Sequence, residues 1–176
     1  NENQPGESKL GWRVKILPFI SDELGQLYQE FHHDEPFDSP HNRQLIPKMP
    51  SVFRCPLSRS DYADGKSNFR LPSSAETMWP IDRDVTFRDI TDGTSNTIAI
   101  IEVDDEHAAV WTAPEPYAID LDQPCAGLGG HFPGGVYYAR CDGSIGFLPQ
   151  QVPANILRAL LTRAGGEVVT NEDLSV

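Results

Sequence analysis

Basic residues are scarce in this sequence. The chain of 176 residues has 14 lysines and arginines against 26 aspartates and glutamates, which gives a formal net charge of −12. A surface of this sign repels a phosphate backbone, and no stretch gathers enough lysine and arginine to form a local basic groove. We therefore expect no nucleic-acid partner, and we attribute the acidity mainly to solubility.

Long apolar runs are absent as well. No stretch reaches the ~18 apolar residues of a membrane span, and the first ten residues lack the basic start and apolar stretch of a signal peptide. We expect no membrane contact by this segment itself. Because Asn1 is not an initiator methionine, one expectation is that a leader and an anchoring helix have been removed from a longer protein.

Cysteines are few and widely spaced. Cys55, Cys125 and Cys141 are too far apart in sequence for a zinc ribbon or a redox pair. One disulfide with a leftover thiol is compatible with this spacing, and so are three buried thiols acting as small apolar groups. The sequence leaves the pairing unknown.

Catalytic motifs are missing too. The string GTSN at residues 93–96 lacks the second glycine of a nucleophile elbow. The glycines at residues 127–130 do not form the phosphate-binding loop that opens a helix. We predict that the protein is not an enzyme, and that it has no cofactor unless calcium binds.

What is present begins with two predicted helices. Apolar residues between 12 and 20 have the mixed spacing of a helix that is covered on more than one side. Ser21 is a good N-cap for a second helix, whose apolar positions 24, 27, 28 and 31 share one face. Residues 39–46 predict a short helical turn, and residues 52–55 a short strand.

The middle of the chain predicts strands. Residues 68–84 are expected to be irregular, whereas the β-branched run at 97–103 predicts a central strand that is covered on both faces. Residues 109–112 predict a partner strand. Residues 135–148 predict a hairpin, because Asp142-Gly143 supplies the positive φ angles of a two-residue primed turn.

A final helix completes the predicted α+β fold. Pro153 opens it, four apolar residues share one face, and Gly165-Gly166 are predicted as its left-handed cap. Helices flank the strands instead of alternating with them, which is typical of the α+β class.

Glu102 is the residue most expected to be structurally special, because it interrupts the apolar central strand. A buried carboxylate requires a partner. Arg70, Arg88 and Arg140 are the candidates. Partnered structural carboxylates outnumber catalytic ones, so this residue alone does not define an active site.

Other candidate ligands lie in loops. Asp89, Asp92 and Asp104 offer the hard oxygen ligands that calcium prefers, without an EF-hand string. Trp79 lies in an irregular loop and is predicted to be exposed, whereas Trp111 fits a core position better. The acids and histidines at residues 32–41 match no specific metal site and are interpreted as solvated capping residues.

Several strings, taken in order, resemble one bacterial family, the domain of unknown function 1559 family. This family is also labelled bacterial solute-binding protein family 10. The strings are GWRVKILPF (11–19), DEPFDSPHN (34–42), FRCP (53–56), FRDITDGTSNT (87–97), WT with Pro114 (111–114), PGG (133–135), DGS (142–144) and LRALLTR (157–163). The resemblance covers about residues 10–169.

The resemblance implies a pilin-like or pseudopilin-like body, with an N-terminal helix packed on a small antiparallel sheet and a short C-terminal helix. Relatives often carry a prepilin-type leader. It therefore implies a single domain at residues 10–169, with flexible segments at 1–9 and 170–176, outside the cytoplasm in the periplasm or at the cell surface. A missing N-terminal helix would supply the membrane anchor.

The family signature His, nine residues, Asp-Gly is shifted here. Phe132 takes the histidine position, and His131 stands one place earlier, with ten residues between it and Asp142. We include His131 and Asp142 with Glu102, Trp79 and Trp111 as candidate ligand-binding residues.

Two functions follow as hypotheses. The first is a non-catalytic structural or assembly domain whose partners are other protein subunits, as in a pilin-like assembly. The second is a module that binds a sugar, a peptide or calcium. An exposed cleft that combines Trp79 or Tyr117 with paired carboxylates would favour the second hypothesis.

Overall fold

The fold begins with the two helices that the apolar spacing predicts. In the computed structural model, which describes residues 9–167, 169–170 and 173–174, α1 spans Trp12–Ile20 and α2 spans Asp22–Gln29. Ser21 caps α2, because its Oγ accepts a hydrogen bond from Leu24 N at 3.2 Å. Within the described residues, no helix is both long enough and apolar enough to cross a membrane.

Strands fill the middle of the chain, and α3 (Ala154–Leu161) follows them. The strands are β1 (Lys66–Ser67), β2 (Phe69–Arg70), β3 (Pro72–Ser73), β4 (Ile98–Glu102), β5 (Ala109–Val110), β6 (Tyr117–Ala118), β7 (Gly135–Arg140) and β8 (Ile145–Pro149). Short 3-10 turns cover Asn42–Lys48, Ser51–Phe53, Tyr62–Asp64 and Phe87–Asp89. Helices flank the strands, so the predicted α+β class is confirmed.

The main sheet is antiparallel and has the strand order β2-β4-β7-β8. The predicted central strand is confirmed as β4, which lies between β2 and β7. The predicted partner at residues 109–112 instead pairs, as β5, with β1 in a separate two-stranded sheet. A third small sheet joins β3 and β6 in parallel.

The β7–β8 hairpin is confirmed, but its turn is not the predicted primed one. Gly143 has a φ of 85°, whereas Asp142 keeps a negative φ. Arg140 N donates to Ser144 O at 2.9 Å, so three residues form the loop. A type I turn followed by a left-handed glycine has this form, and it needs only one residue with positive φ.

Two apolar clusters fill the interior. The sheet core joins α3 to the main sheet through Ile98, Ile101, Ile119, Val136, Tyr138, Leu148, Val152, Leu157, Leu160 and Leu161. The helical core lies around α1 and α2 and contains Leu10, Val14, Leu17, Phe31, Leu45, Met49, Phe53 and Trp111. The N-terminal helix reaches the sheet edge through Arg13, whose guanidinium donates to Phe69 O of β2.

The region before β4 differs from the predictions in two places. Residues 52–55 do not form a strand, because Phe53 N and Arg54 N donate to carbonyls three residues earlier in a 3-10 turn. Pro56 cannot donate to a ladder, which leaves too short a segment for strand pairing. Residues 68–84 are not wholly irregular, since β2 and β3 lie there.

The end of the chain also differs from prediction. α3 ends at Leu161 with Thr162 as its C-cap, so Gly165-Gly166 are not the cap. Their amides instead donate to the carboxylate of Asp92, at 2.7 and 2.9 Å. The predicted flexible segments 1–9 and 170–176 lie outside the described residues, apart from positions 9, 170, 173 and 174, and stay predictions.

The loop between α2 and the first 3-10 turn is organised by one buried amide. Asn42 is fully buried, and its Nδ2 donates to the carbonyls of His32, Glu35 and Pro36 at 3.0–3.3 Å. Its Oδ1 accepts from His32 N at 3.0 Å. We call this arrangement the Asn42 hub; it explains the DEPFDSPHN string as a structural element.

Candidate functional site

Three chemically reactive side chains from distant parts of the sequence meet inside the molecule. They are Cys55, which follows a 3-10 turn, Glu102 at the end of β4, and His131 in the loop before β7. A sulfur, a carboxylate oxygen and a ring nitrogen of this trio all lie within 4.8 Å of one another. We call these three residues the buried cluster.

A bulge in β4 turns Glu102 away from the sheet core. The register with β7 shifts between Ile98 and Ile100. Ile98 and Ile101 consequently both face the sheet core, which a strict two-residue alternation does not allow. Glu102 therefore lies on the opposite face, where its side chain is fully buried.

The carboxylate of Glu102 finds its partners in the buried cluster. Cys55 Sγ donates to Oε1 at 3.1 Å, and Tyr137 N donates to Oε2 at 3.2 Å. His131 Nδ1 lies 3.2 Å from Oε1. In the described part of the chain, the ionisable nitrogen beside the Glu102 carboxylate is that of His131, and none of the three predicted arginines forms a salt bridge with Glu102.

Two of those arginines have other acceptors. Arg70 donates to the carbonyls of His107, Glu115 and Pro116, and Arg140 donates to Ser144 Oγ and Tyr138 Oη. The arginine partnership predicted from sequence is therefore wrong, because the sheet face that carries Glu102 is closed by a cysteine and a histidine.

His131 is oriented by Asp105. Its Nε2 lies 2.9 Å from Asp105 Oδ1. The same carboxylate accepts from Ser58 Oγ at 2.7 Å, Arg59 N at 3.1 Å and Asn68 Nδ2 at 3.1 Å. Burial alone would raise the pKa of Asp105, but these hydrogen bonds outweigh it and hold the pKa well below its usual range.

The ionised Asp105 fixes the proton on the imidazole. A carboxylate only accepts hydrogen bonds, so His131 Nε2 carries the hydrogen. Nδ1 then faces Glu102 Oε1 at 3.2 Å, yet the geometry forms no hydrogen bond, and this buried nitrogen has no hydrogen-bond partner. The side chain of His131 is 4% exposed.

The thiol of Cys55 is held in its protonated form. Burial raises its pKa to about 11, and the hydrogen bond to Glu102 acts in the same direction. A thiol with a raised pKa is a poor nucleophile at neutral pH. The three cysteines are all unpaired: Cys55 is buried, Cys141 is half-buried and Cys125 is exposed.

Glycines shape the loop that carries His131. Gly129 and Gly130 have φ angles of 75° and 92°. A Cβ at Gly129 would lie 2.9 Å from Val136 Cγ1, so the loop requires glycine there. A cavity of about 310 Å³ adjoins His131 and is lined by residues 128–136 and Gln150.

The shifted histidine signature has a structural counterpart. His131 faces the buried cluster, whereas Phe132, at the family histidine position, packs edge-on against Tyr137 with ring centroids 4.9 Å apart. Asp142 lies in the hairpin turn, where its carboxylate accepts from Ser144 N at 2.8 Å. The two ends of the signature therefore lie in different parts of the fold, one at the buried cluster and one in the hairpin turn.

The two predicted tryptophan ligands have structural tasks. Trp111 is fully buried in the helical core, and its Nε1 donates to Ile46 O at 2.9 Å, so it presents no surface to a ligand. Trp79 is half-buried instead of exposed, and its Nε1 donates to Ala99 O, in the β4 bulge, at 2.7 Å.

Trp79 nevertheless lines a cleft of about 520 Å³. We call it the Trp79 cleft. Its other lining residues include Asp84, Arg83, Ile81 and Glu115.

The predicted calcium ligands act separately in the described residues. Asp89 accepts from Thr86, Asp92 from the Gly165 and Gly166 amides, and Asp104 from His107. Among the described residues, three or more potential metal ligands come close together in the buried cluster. That cluster contains none of these aspartates.

An apolar groove of about 480 Å³ lies beside the buried cluster. Its walls come from α1, from the 3-10 turn before Cys55 and from the main sheet. The lining residues are Trp12, Ile16, Ile20, Val52, Phe53, Phe69, Ile100, Phe132, Tyr137, Tyr138, Ala139 and Ile145. Ile145 is 76% exposed and Val52 is 56% exposed.

Sequence reasoning did not connect Cys55 and Asp105 with His131. Each carried one usable signal. Cys55 lies in the FRCP string. Asp105 lies three residues after Glu102, in the loop that follows the buried strand. Neither signal indicates that the two residues meet around His131.

Comparison with known proteins yields one match. A family model described as "Protein of unknown function (DUF1559)" matches residues 1–119. No curated protein and no solved structure matches the chain. The matched span contains Cys55, Glu102 and Asp105 and ends before His131.

Proposed function

We propose that this chain, which belongs to the DUF1559 family of proteins of unknown function, is a non-catalytic interaction domain outside the cytoplasm. It binds another protein subunit through the apolar groove. The first partner to test is a second copy of the same chain, as in a pilin-like assembly.

The apolar groove carries this proposal. Its lining is formed by aliphatic and aromatic side chains, and Ile145 and Val52 stand well exposed within it. Phe19, which is 87% exposed, directly precedes the groove residue Ile20 on α1. Contiguous exposed apolar surface on a soluble domain is typical of protein interaction sites, and aromatic residues are enriched in such interfaces.

The non-catalytic part of the proposal rests on the thiols and the serine. Cys55 donates its hydrogen to Glu102 and has a raised pKa, which disfavours a nucleophilic thiolate. Within the described residues, neither Ser95 nor Cys141 is hydrogen-bonded to a histidine. A hydrolase would need such a pair.

The placement outside the cytoplasm rests on the resemblance to proteins with prepilin-type leaders. The test is fractionation of cells that express the full-length gene product. Recovery in the periplasmic or surface fraction supports the proposal, and recovery with cytoplasmic proteins contradicts it.

Self-association through the groove is tested by sedimentation velocity over a range of protein concentrations. We expect the wild type to form a larger species as concentration rises, and Ile145→Glu and Val52→Glu to stay monomeric. Phe87→Glu is the matched control, because Phe87 is 70% exposed but lies outside the groove. A monomeric wild type at every concentration would contradict assembly of this chain with itself.

Solute binding is the second candidate, and the Trp79 cleft is the specific observation behind it. The cleft combines a half-buried tryptophan with Asp84 and Glu115. The test is thermal unfolding against a panel of glycans, peptides and calcium. A saturable stabilisation that Asp84→Asn or Glu115→Gln removes would support this candidate. If no ligand stabilises the protein, the interaction role is the remaining candidate.

A further inference from the structure

We infer that Cys55, Glu102 and His131 form a binding site for a zinc-class transition-metal ion, with Asp105 orienting the histidine from behind. This site is independent of the apolar groove and of the interaction role proposed above.

The ligand atoms are already near metal-binding positions. Zinc bonds to sulfur, nitrogen and oxygen are about 2.0–2.3 Å long, so the ligand atoms of a tetrahedral ion lie roughly 3–4 Å apart. Glu102 Oε1 lies 3.1 Å from Cys55 Sγ and 3.2 Å from His131 Nδ1. The whole trio fits within 4.8 Å, so a small inward movement closes it around an ion.

The second observation is an unmet electrostatic need. His131 Nδ1 has no hydrogen-bond partner and lies opposite a carboxylate oxygen in a side-chain environment closed to solvent. In the neutral ring its lone pair points at another acceptor, which is unfavourable without a cation between them. A metal ion satisfies Nδ1, Oε1 and the sulfur together.

The surroundings of His131 match a metal-bound histidine. Metal-ligating histidines nearly always donate their second ring N–H to a carboxylate, a carbonyl or water, which fixes the tautomer. Asp105 fills this role at 2.9 Å and is itself held by Ser58, Arg59 and Asn68.

The donor set selects the class of ion. Thiolate and imidazole suit zinc and cobalt, whereas calcium and magnesium take oxygen ligands. Three protein ligands leave a fourth position for water or for a further group. The cavity next to His131 borders the cluster on the side of the histidine.

The test uses Co²⁺ as a spectroscopic probe on the double variant Cys125→Ser/Cys141→Ser. In this variant the substituted cysteines are the exposed Cys125 and the half-buried Cys141, and Cys55 is the one remaining thiol. We expect a thiolate-to-cobalt charge-transfer band that saturates at one ion per chain and disappears when Zn²⁺ is added. Saturating Co²⁺ without this band would overturn the inference, and this result does not depend on the folding of any variant of the cluster.

Zn²⁺ titration calorimetry on single variants locates the ion. Glu102→Gln and His131→Gln are expected to weaken zinc binding at least tenfold. The matched control is His107→Gln, since His107 also bonds an aspartate, Asp104, at 2.7 Å but outside the cluster. It is expected to bind zinc like the wild type.

The surface histidines provide the opposing outcome. His32 and His41 stack with ring centroids 3.5 Å apart, and Glu35 lies beside His32. If His41→Gln weakens zinc binding while Glu102→Gln leaves it unchanged, the ion sits on the surface and the inference is wrong. If zinc does not bind the wild type at all, the inference is also wrong.

Discussion

The Asn42 hub and the buried cluster are both polar groups sealed inside the molecule, but they differ in how completely they are satisfied. Asn42 pairs its amide with three carbonyls and its oxygen with a backbone N–H. In the buried cluster, His131 Nδ1 lacks a hydrogen-bond partner and faces a carboxylate.

The difference separates a structural polar group from a binding site. A fully bonded buried amide needs nothing further, and its contribution is to hold the loop in one conformation. A buried nitrogen that lies against an acceptor is completed by a cation. The degree of burial does not distinguish the two places, whereas the count of satisfied atoms and the metal-ligand side chains of the buried cluster do.

The largest expected effect is the loss of the Asn42 hub. Asn42→Ala removes the four hydrogen bonds of a fully buried amide, each worth about 0.5–1.5 kcal/mol, so we expect a loss of about 3 kcal/mol in the free energy of unfolding. Urea denaturation measures it. Asn96→Ala is the control, because Asn96 Nδ2 makes one hydrogen bond, to Asp92 O, and we expect a loss of about 1 kcal/mol or less.

The second prediction concerns zinc and stability. An ion that binds the folded state alone, at 100 times its dissociation constant, raises the free energy of unfolding by about 2.7 kcal/mol. We expect this gain in the wild type and in Asn42→Ala, and a gain of no more than about 1.4 kcal/mol in Glu102→Gln at the same zinc concentration, because its binding is at least tenfold weaker. An equal gain in Glu102→Gln would show that the two polar centres do not differ as described.

The third prediction addresses Asp105. Asp105→Asn keeps the shape but weakens the acceptor for His131 Nε2, so we expect zinc affinity to fall about 10–100-fold. Calorimetry with zinc measures the change. Asp104→Asn, which alters the other histidine–aspartate pair, is expected to leave the affinity unchanged, and an equal loss in both variants would contradict the assigned role.

The smallest effect is expected at the apolar groove. Ile145 is largely exposed, so Ile145→Glu should change the free energy of unfolding by no more than about 0.5 kcal/mol. Denaturation and zinc titration of this variant should both match the wild type. A large loss of stability would show that Ile145 supports the fold and is not a free surface residue.

Local sequence patterns predicted most of the regular elements. The Ser21 cap, the central strand and the Asp-Gly hairpin each depend on neighbours in the chain, and all three are confirmed. The strand expected at residues 52–55 failed because the prolines around it favour a 3-10 turn. The two-residue strands β2 and β3 are too short to leave a periodic signal.

The candidate site was less accessible to such reasoning. The charge of Glu102 within an apolar run was visible, but its partners come from 47 residues before it and from the loop carrying His131. The bulge at residues 98–100 decides which face Glu102 occupies, and alternation alone predicts the wrong face. Cys55 and Asp105 became site residues only through this long-range folding.

The most direct test of the metal site is anomalous X-ray diffraction at the zinc edge from crystals of the chain grown with zinc. We predict one ion per chain, bonded to Cys55 Sγ at about 2.3 Å and to Glu102 and His131 Nδ1 at about 2.0–2.2 Å. An anomalous peak at His32 and His41 instead, or no peak with His131 Nδ1 hydrogen-bonded to Glu102, would contradict the account.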